Sequence, residues 1–288
     1  LCMKASIRGV EIYFDVDGAG LVPEGSEMKE RPAAFVLHGG PGADHTSYKP
    51  GLTPLTEIMQ LVYIDHRGQG RSSRGEPETY TLANNVEDLE ALRQYLGLKQ
   101  VVVIGASYGG MVALSYAAKY PQSVSHLIAM VTAPSYRFIQ TARKTLSQIG
   151  TAEQIEAAKP LWSGTFSSEE QLADFFYKLG PLYSKRFDPV KAQARRYRGI
   201  LSVEAINRGF GGFLRTYDVT DALKHITAKT LVIGARHDWI CAPEYSELIA
   251  REIEGAELCL LGNSGHSLLA DAGARVIDTI SSFMRHNP

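Results

Sequence analysis

Continuous apolar runs punctuate this chain, and the stretches between them carry helical periodicity; no other feature narrows the fold as far. The runs are AAFVL (33–37), QLVYID (60–65), QVVVIGA (100–106), SHLIAMV (125–131), TLVIGA (230–235) and AELCLL (256–261), preceded by the alternating GVEIYFDV (9–16). A strand that is apolar at successive positions must be buried on both faces, as in a parallel sheet with helices on each side. Between the runs, Val86, Leu89, Leu92 and Leu96 recur at helical spacing, and YGGMVALSYAAKY (108–120) is rich in helix formers ahead of Pro121. The order predicts an α/β fold, a mostly parallel sheet wrapped by helices through right-handed crossovers.

The alternation stops between Pro134 and Tyr217. This segment has no strand-like run, is rich in aromatic residues and includes helical patterns such as SEEQLADFFYKL (168–179). It reads as a helical cap, 134–217, inserted over one end of a core made of 1–133 and 218–288. Its 13 Lys and Arg against 7 Asp and Glu give it a net charge of +6, leaving −7 on the rest of the chain. RRYRG (195–199) within it reads as a solvated helix face in preference to an anion site.

The 288 residues suffice for one large domain with an insertion. A net charge of −1 supplies no field for nucleic acid or membrane, so a small-molecule substrate is the expected partner; the oligomeric state is left open. Cys2, Cys241 and Cys259 are odd in number and form no C-x-x-C pair, which points to reduced, buried thiols over a disulfide framework or zinc knuckle. With no long apolar stretch in residues 1–30 and no run of 18 apolar residues anywhere, the expected location is cytoplasmic.

Chemistry enters at VVVIGASYGG (101–110), where Gly105-Ala106-Ser107-Tyr108-Gly109 matches G-x-S-x-G between a strand and a helix. A serine hydroxyl is too weakly acidic to attack a carbonyl unaided and needs a base oriented by a third group. Asp238 follows the run TLVIGA, and His266 follows AELCLL; both stand at strand carboxyl ends, where open α/β sheets build sites. Ser107 is therefore the expected nucleophile, His266 its base and Asp238 the carboxylate that fixes the imidazole. Asp218 and Asp221 precede their strand and are weaker candidates, and His237 is a bystander.

HGGPGADH (38–45) offers His38, Asp44 and His45 to a metal, or its glycines to a phosphate or a carbonyl oxygen. No HExxH or second ligand pair accompanies the histidines, and neither phosphate-loop pattern is matched, so no metal and no cofactor are expected. DHRGQGRSSRGE (65–76) reads as a structural loop tied down by its own charges ahead of an anion cradle around Arg67 and Arg71.

Together, HGGPG (38–42), DHRGQGRS (65–72), GASYGG (105–110), GARHD (234–238) and SGH (264–266) resemble the α/β-hydrolase superfamily, in particular its proline iminopeptidase-like branch. The resemblance spans nearly the whole chain outside the insertion. It implies the α/β-hydrolase fold with a helical cap, a Ser107, Asp238, His266 triad, and an oxyanion hole from the backbone N–H groups of Gly40 and Tyr108. It also implies cap glutamates that hold a substrate's free amino terminus. One is expected near position 207, where Asn207 stands with Glu204 one helical turn away, and a cap of net +6 attracts an ammonium group poorly. The expected activity is therefore that of a serine hydrolase of small esters, lactones or amides. Proline iminopeptidase action is the alternative, and a non-catalytic small-molecule receptor the alternative of another class. Gly39, Glu204, Asn207 and Trp239 are candidates for substrate contact, and Trp162, Phe166, Phe175, Phe176, Tyr183, Phe210 and Phe213 are available to an apolar pocket.

Overall fold

The computed structural model describes residues 3–288. Its first part contains β1 (Met3–Ile7), β2 (Val10–Asp17), β3 (Leu21–Glu24), β4 (Glu27–Glu30), β5 (Ala33–Leu37), β6 (Gln60–Ile64), α1 (Leu82–Tyr95), β7 (Val101–Ala106), α2 (Tyr108–Lys119) and β8 (Val124–Met130). Helices follow: α3 (Arg137–Ile149), α4 (Ala152–Ala157), α5 (Lys159–Ser163), α6 (Glu169–Tyr183), α7 (Pro189–Arg198) and α8 (Val203–Gly211). Alternation then resumes with β9 (Lys229–Ala235), α9 (Pro243–Glu252), β10 (Glu257–Leu261) and α10 (Leu268–His286).

Among the described residues, β1, β2, β6, β5, β7, β8, β9 and β10 stand side by side in that order. The first two junctions are antiparallel and the rest parallel. The apolar runs are apolar because both faces are covered: every residue of β5 and β7 is buried. Val101 and Val103 face a layer with Val86, Leu89 and Leu92 of α1 and Ile249 of α9. Val102 and Ile104 face Val276, Ile280 and Phe283 of α10. Each such side chain contributes roughly 1.5–3 kcal/mol of hydrophobic stabilisation, and together they fix β7 at the centre of the molecule.

Two elements lie outside the sequence reading. Strand β1 is a short edge strand on β2, and β3 and β4 form a separate antiparallel hairpin turning at Gly25, whose φ is +65°. The hairpin is almost wholly exposed, so it carries no apolar signature to read. Cys2 lies outside the described residues; Cys241 is buried and Cys259 half-buried, and burial pushes the Cys241 thiol well above its ordinary value. Among the described residues, no helix is long and apolar enough to cross a membrane.

The helices α3 to α8 leave and re-enter the sheet at a single place. The Tyr136 N–H donates to the Tyr217 carbonyl at 2.6 Å and the Val219 N–H to the Pro134 carbonyl at 2.9 Å. Ser135 pairs with Asp218 as an antiparallel bridge, and Arg137 lies 3.0 Å from the Asp218 carboxylate. Phe138 of α3, Leu161 of α5, Phe175 of α6 and Phe210 of α8 line the same cavity as Ser107 and His266.

Candidate active site

Ser107 sits between β7 and α2 with φ +56° and ψ −124°, a conformation that a residue with a side chain adopts only when its surroundings enforce it. The Ser107 N–H donates to Met130 O at 3.0 Å, and Thr132 Oγ1 donates to Ser107 O at 2.7 Å. The turn closes only because its neighbours are glycines. A Cβ on Gly105 would stand 2.2 Å from Gly109 O, and one on Gly109 would stand 2.1 Å from Leu37 O. The first N–H groups of a helix have no intrahelical partner, and the Tyr108 N–H opens α2. Among the described residues, neither it nor the Gly40 N–H donates to a protein acceptor.

The loops after β9 and β10 bring Asp238 and His266 together. His266 Nδ1 lies 2.7 Å from Asp238 Oδ2, while Asp238 Oδ1 accepts the N–H groups of Ile240 and Cys241, both at 2.9 Å. Asp238 is buried, so its charge is held by three directed hydrogen bonds that leave the carboxylate little freedom to turn. A carboxylate at Nδ1 fixes the tautomer that leaves Nε2 as the acceptor. His266 and Ser107 line the same cavity. Among the described residues, no hydrogen bond closes between the Ser107 hydroxyl and His266; such contacts commonly tighten only when substrate binds.

The loop after β5 completes the rim. Gly39 packs against Ser107: a Cβ built on it would lie 3.3 Å from Ser107 Cβ. Gly40 has φ +115°, in the region that favours glycine, and a Cβ there would lie 2.6 Å from Gly42 N. His38 is buried beneath this loop, its Nδ1–H donating to Gly39 O at 2.8 Å and its Nε2 accepting the His66 N–H at 3.1 Å. It is thus a neutral brace between two loops. The remaining side chains that sequence offers to a metal are paired locally: His45 Nδ1 is 2.8 Å from Asp65, and Arg71 is 2.9 Å from Asp44. Arg67 makes a two-pronged contact with Asp88, at 2.8 and 2.6 Å, so both arginines of this stretch tie down their own loop.

A cavity of about 200 Å³ opens over Ser107, and its wall is largely apolar, with Met111, Phe138, Phe175, Phe176 and Phe210 among the contributors. Ser107, Gly39, Gly40 and His266 line it; Glu204, Asn207 and Trp239 do not. Glu204 is exposed. Asn207 clamps Phe166, accepting its N–H at 2.9 Å and donating to its carbonyl at 2.8 Å. Trp239 is buried among Trp162 and Tyr183, with ring centroids 6.3 and 5.4 Å away. The Tyr108 side chain is also buried away from the cavity, its hydroxyl accepting from Asn85 at 2.6 Å.

Tyr183, read from sequence only as a candidate pocket aromatic, and Asp271, which escapes the sequence reading, also shape the His266 loop. Tyr183, at the end of α6, packs edge-on to the His266 ring at 5.5 Å, and its carbonyl accepts the Ser267 N–H at 2.8 Å. Asp271, buried in α10, accepts the Gly265 N–H at 2.7 Å, the Ser184 hydroxyl at 2.6 Å, and the N–H groups of Lys185 and Arg186 at 3.0 and 3.1 Å. One carboxylate therefore joins the His266 loop to the chain leaving α6. Only its place five residues after His266 could have drawn attention to it, and no apolar pattern marks it.

The profile of the alpha/beta hydrolase fold family matches residues 32–272. The proline iminopeptidase PfmaB of Pestalotiopsis fici is 36% identical over 278 residues, covering 94% of this chain and 98% of its own length. Among solved structures, an esterase from Exiguobacterium antarcticum superposes with a TM-score of 0.76 at 21% identity, covering 99% of this chain and 100% of its own. A proline iminopeptidase from Mycobacterium smegmatis gives 0.77 at 20% identity, covering 100% and 98%. The extent of the profile match, the near full-length relative and the sheet order agree: this chain belongs to the α/β hydrolase fold family.

Proposed function

We propose that this protein is a serine hydrolase that cleaves small esters, lactones or amides through an acyl-enzyme, with Ser107 as nucleophile, His266 as base and Asp238 as the carboxylate that orients it. The observation that carries the reading is the strained Ser107, exposed to an apolar cavity that it shares with an imidazole bonded to a buried carboxylate. His266 Nε2 takes the hydroxyl proton as Ser107 Oγ attacks the carbonyl carbon. The N–H groups of Gly40 and Tyr108 receive the negative charge that moves onto the oxygen, each worth roughly 3 kcal/mol of barrier. Collapse expels the leaving group, which takes its proton from His266. Water then repeats the sequence on the acyl-enzyme, releasing the acid and restoring Ser107.

In this reading residues 134–217 form a cap over a core of 1–133 and 218–288, and Gly39 contacts the substrate beside Ser107. The second reading, release of N-terminal proline, is favoured by the name of the 36%-identical relative. Against it, among the described residues no Asp or Glu lines the Ser107 cavity to hold an ammonium group. A panel of para-nitrophenyl acetate, para-nitrophenyl butyrate, a lactone and proline para-nitroanilide, run on wild type and Ser107→Ala, separates the readings. The esters are expected to exceed the anilide in kcat/KM, with activity lost in the variant. A strong preference for the proline anilide would select the second reading, and no turnover of any of them with no Ser107 labelling would leave a receptor.

A further inference from the structure

A second cavity, of about 530 Å³, adjoins the Ser107 cavity and shares Ala43, Ser47, Phe176, Tyr183, Arg195 and Ser267 with it. The inner space holds only a small acyl group, so anything larger attached to the reacting carbonyl must extend outward past these shared residues. The outer cavity is amphipathic. Phe176, Tyr177, Tyr183, Phe187 and Leu201 line it, with Arg195 and Arg196 of α7.

Charge at this cavity is unbalanced. Asp44 and Asp174 also line it, but Asp44 is engaged by Arg71 at 2.9 Å and by the Ile200 N–H at 2.8 Å, and Asp174 by Lys178 at 2.9 Å. Among the described residues, Arg195 and Arg196 make no ion pair. Arg195, which no carboxylate among the described residues engages, and Arg196, whose charge is met only by the field of the exposed Glu170, stand beside aromatic walls and suit an anion carried on an apolar body, because the guanidinium fork matches a carboxylate and apolar walls focus the field.

We propose that the outer cavity binds a carboxylate on the leaving group of the substrate through Arg195 and Arg196, so that the preferred substrate is a small acyl ester of an aromatic or aliphatic hydroxy acid, or the corresponding amide of an amino acid. Its role in turnover rests on the hydrolase reading; its binding of the anion does not. The probes are para-acetoxyphenylpropanoate and para-acetoxyphenylpropanamide, whose phenol leaving groups are equally good and which differ only in a charge distant from the ester.

The wild type is expected to favour the carboxylate ester over the amide by about tenfold in kcat/KM, with the ratio falling toward one in Arg195→Gln/Arg196→Gln and in high salt. A wild-type ratio near one, or a preference unchanged in the double variant, overturns the proposal. Calorimetric binding of both probes to Ser107→Ala separates the two claims. If neither ester is turned over, the hydrolase reading fails, and the anion site stands or falls on whether the carboxylate probe binds about tenfold tighter than the amide. Equal binding overturns it.

Discussion

The carboxylate of Asp271 accepts the Gly265 N–H at 2.7 Å, one residue before His266, and with its other oxygen accepts the Ser184 hydroxyl at 2.6 Å. The imidazole loop and the chain leaving α6 are thus positioned by the same group. Burial alone would raise the Asp271 carboxyl, but the Ser184 hydroxyl and the N–H groups of Gly265, Lys185 and Arg186 outweigh it and hold the group below the usual carboxylate range.

Asp271→Asn is expected to cost about 3 kcal/mol of unfolding free energy at neutral pH, because it leaves buried donors facing an amide. The Asp271 carboxyl ionises at lower pH in the folded chain than in the unfolded one. Its contribution is therefore complete above the ordinary carboxylate value and lost as pH falls through the lower folded value. Denaturant melts from pH 7 down to pH 3 (about one unit below the ordinary carboxylate value) should show the difference between wild type and variant shrinking toward the acid end. A constant difference would show that the carboxylate charge is not what the donors hold.

For Ser107→Ala, kcat should drop by at least about ten-thousand-fold on any ester that the wild type cleaves, since the members of a triad act as a unit. Fluorophosphonate labelling should disappear with it. Labelling of the variant at the wild-type level would remove Ser107 from the mechanism.

His38 and His66 are both buried, and burial lowers the pKa of each, with His38 further lowering that of His66. Each ring therefore binds a proton more readily when unfolded. Stability should be flat above about pH 6.5, the ordinary imidazole value, and fall as pH drops below it. His66→Phe should flatten that slope by about one proton, measured by chemical denaturation across the range; an unchanged slope would assign the acid sensitivity elsewhere.

Glu204 and Asn207 offer a direct check on the amino-terminus reading. Glu204 is exposed and off the cavity, so Glu204→Gln is expected to change stability by less than about 0.5 kcal/mol and leave kcat/KM as it was. Asn207→Ala removes two hydrogen bonds to Phe166 and should cost about 2 kcal/mol. A selective loss of proline anilide turnover in Glu204→Gln would reverse both assignments.

The legible part of the structure was the part built from repetition. Runs such as QVVVIGA announced β7 because burial on both faces leaves no alternative composition, and Ser107, Asp238 and His266 each followed such a run. What was hidden depends on approach between segments distant in sequence. Asp271 meets Ser184 across 87 residues, and nothing local to either records the meeting. Asn207 was expected to face a substrate from its position alone, whereas its amide is occupied by the Phe166 backbone. Arg195 was read as part of a solvated face, and it does lie on an exposed helix, but that helix borders a cavity that only the packing of α6 and α7 creates.

The bridge of Ser135 to Asp218, with Tyr136 bonded to Tyr217, means that the chain returns to the sheet where it left. Everything between is a closed excursion. A short turn across that point would satisfy β8 and β9 equally well, so the length and composition of the excursion can change without disturbing the strands. The strands that hold Ser107 are thus closed off from the excursion, whereas the His266 loop is not: Tyr183 O and the Asp271 carboxylate fasten it to the chain leaving α6, so a change there reaches the imidazole before it reaches the nucleophile.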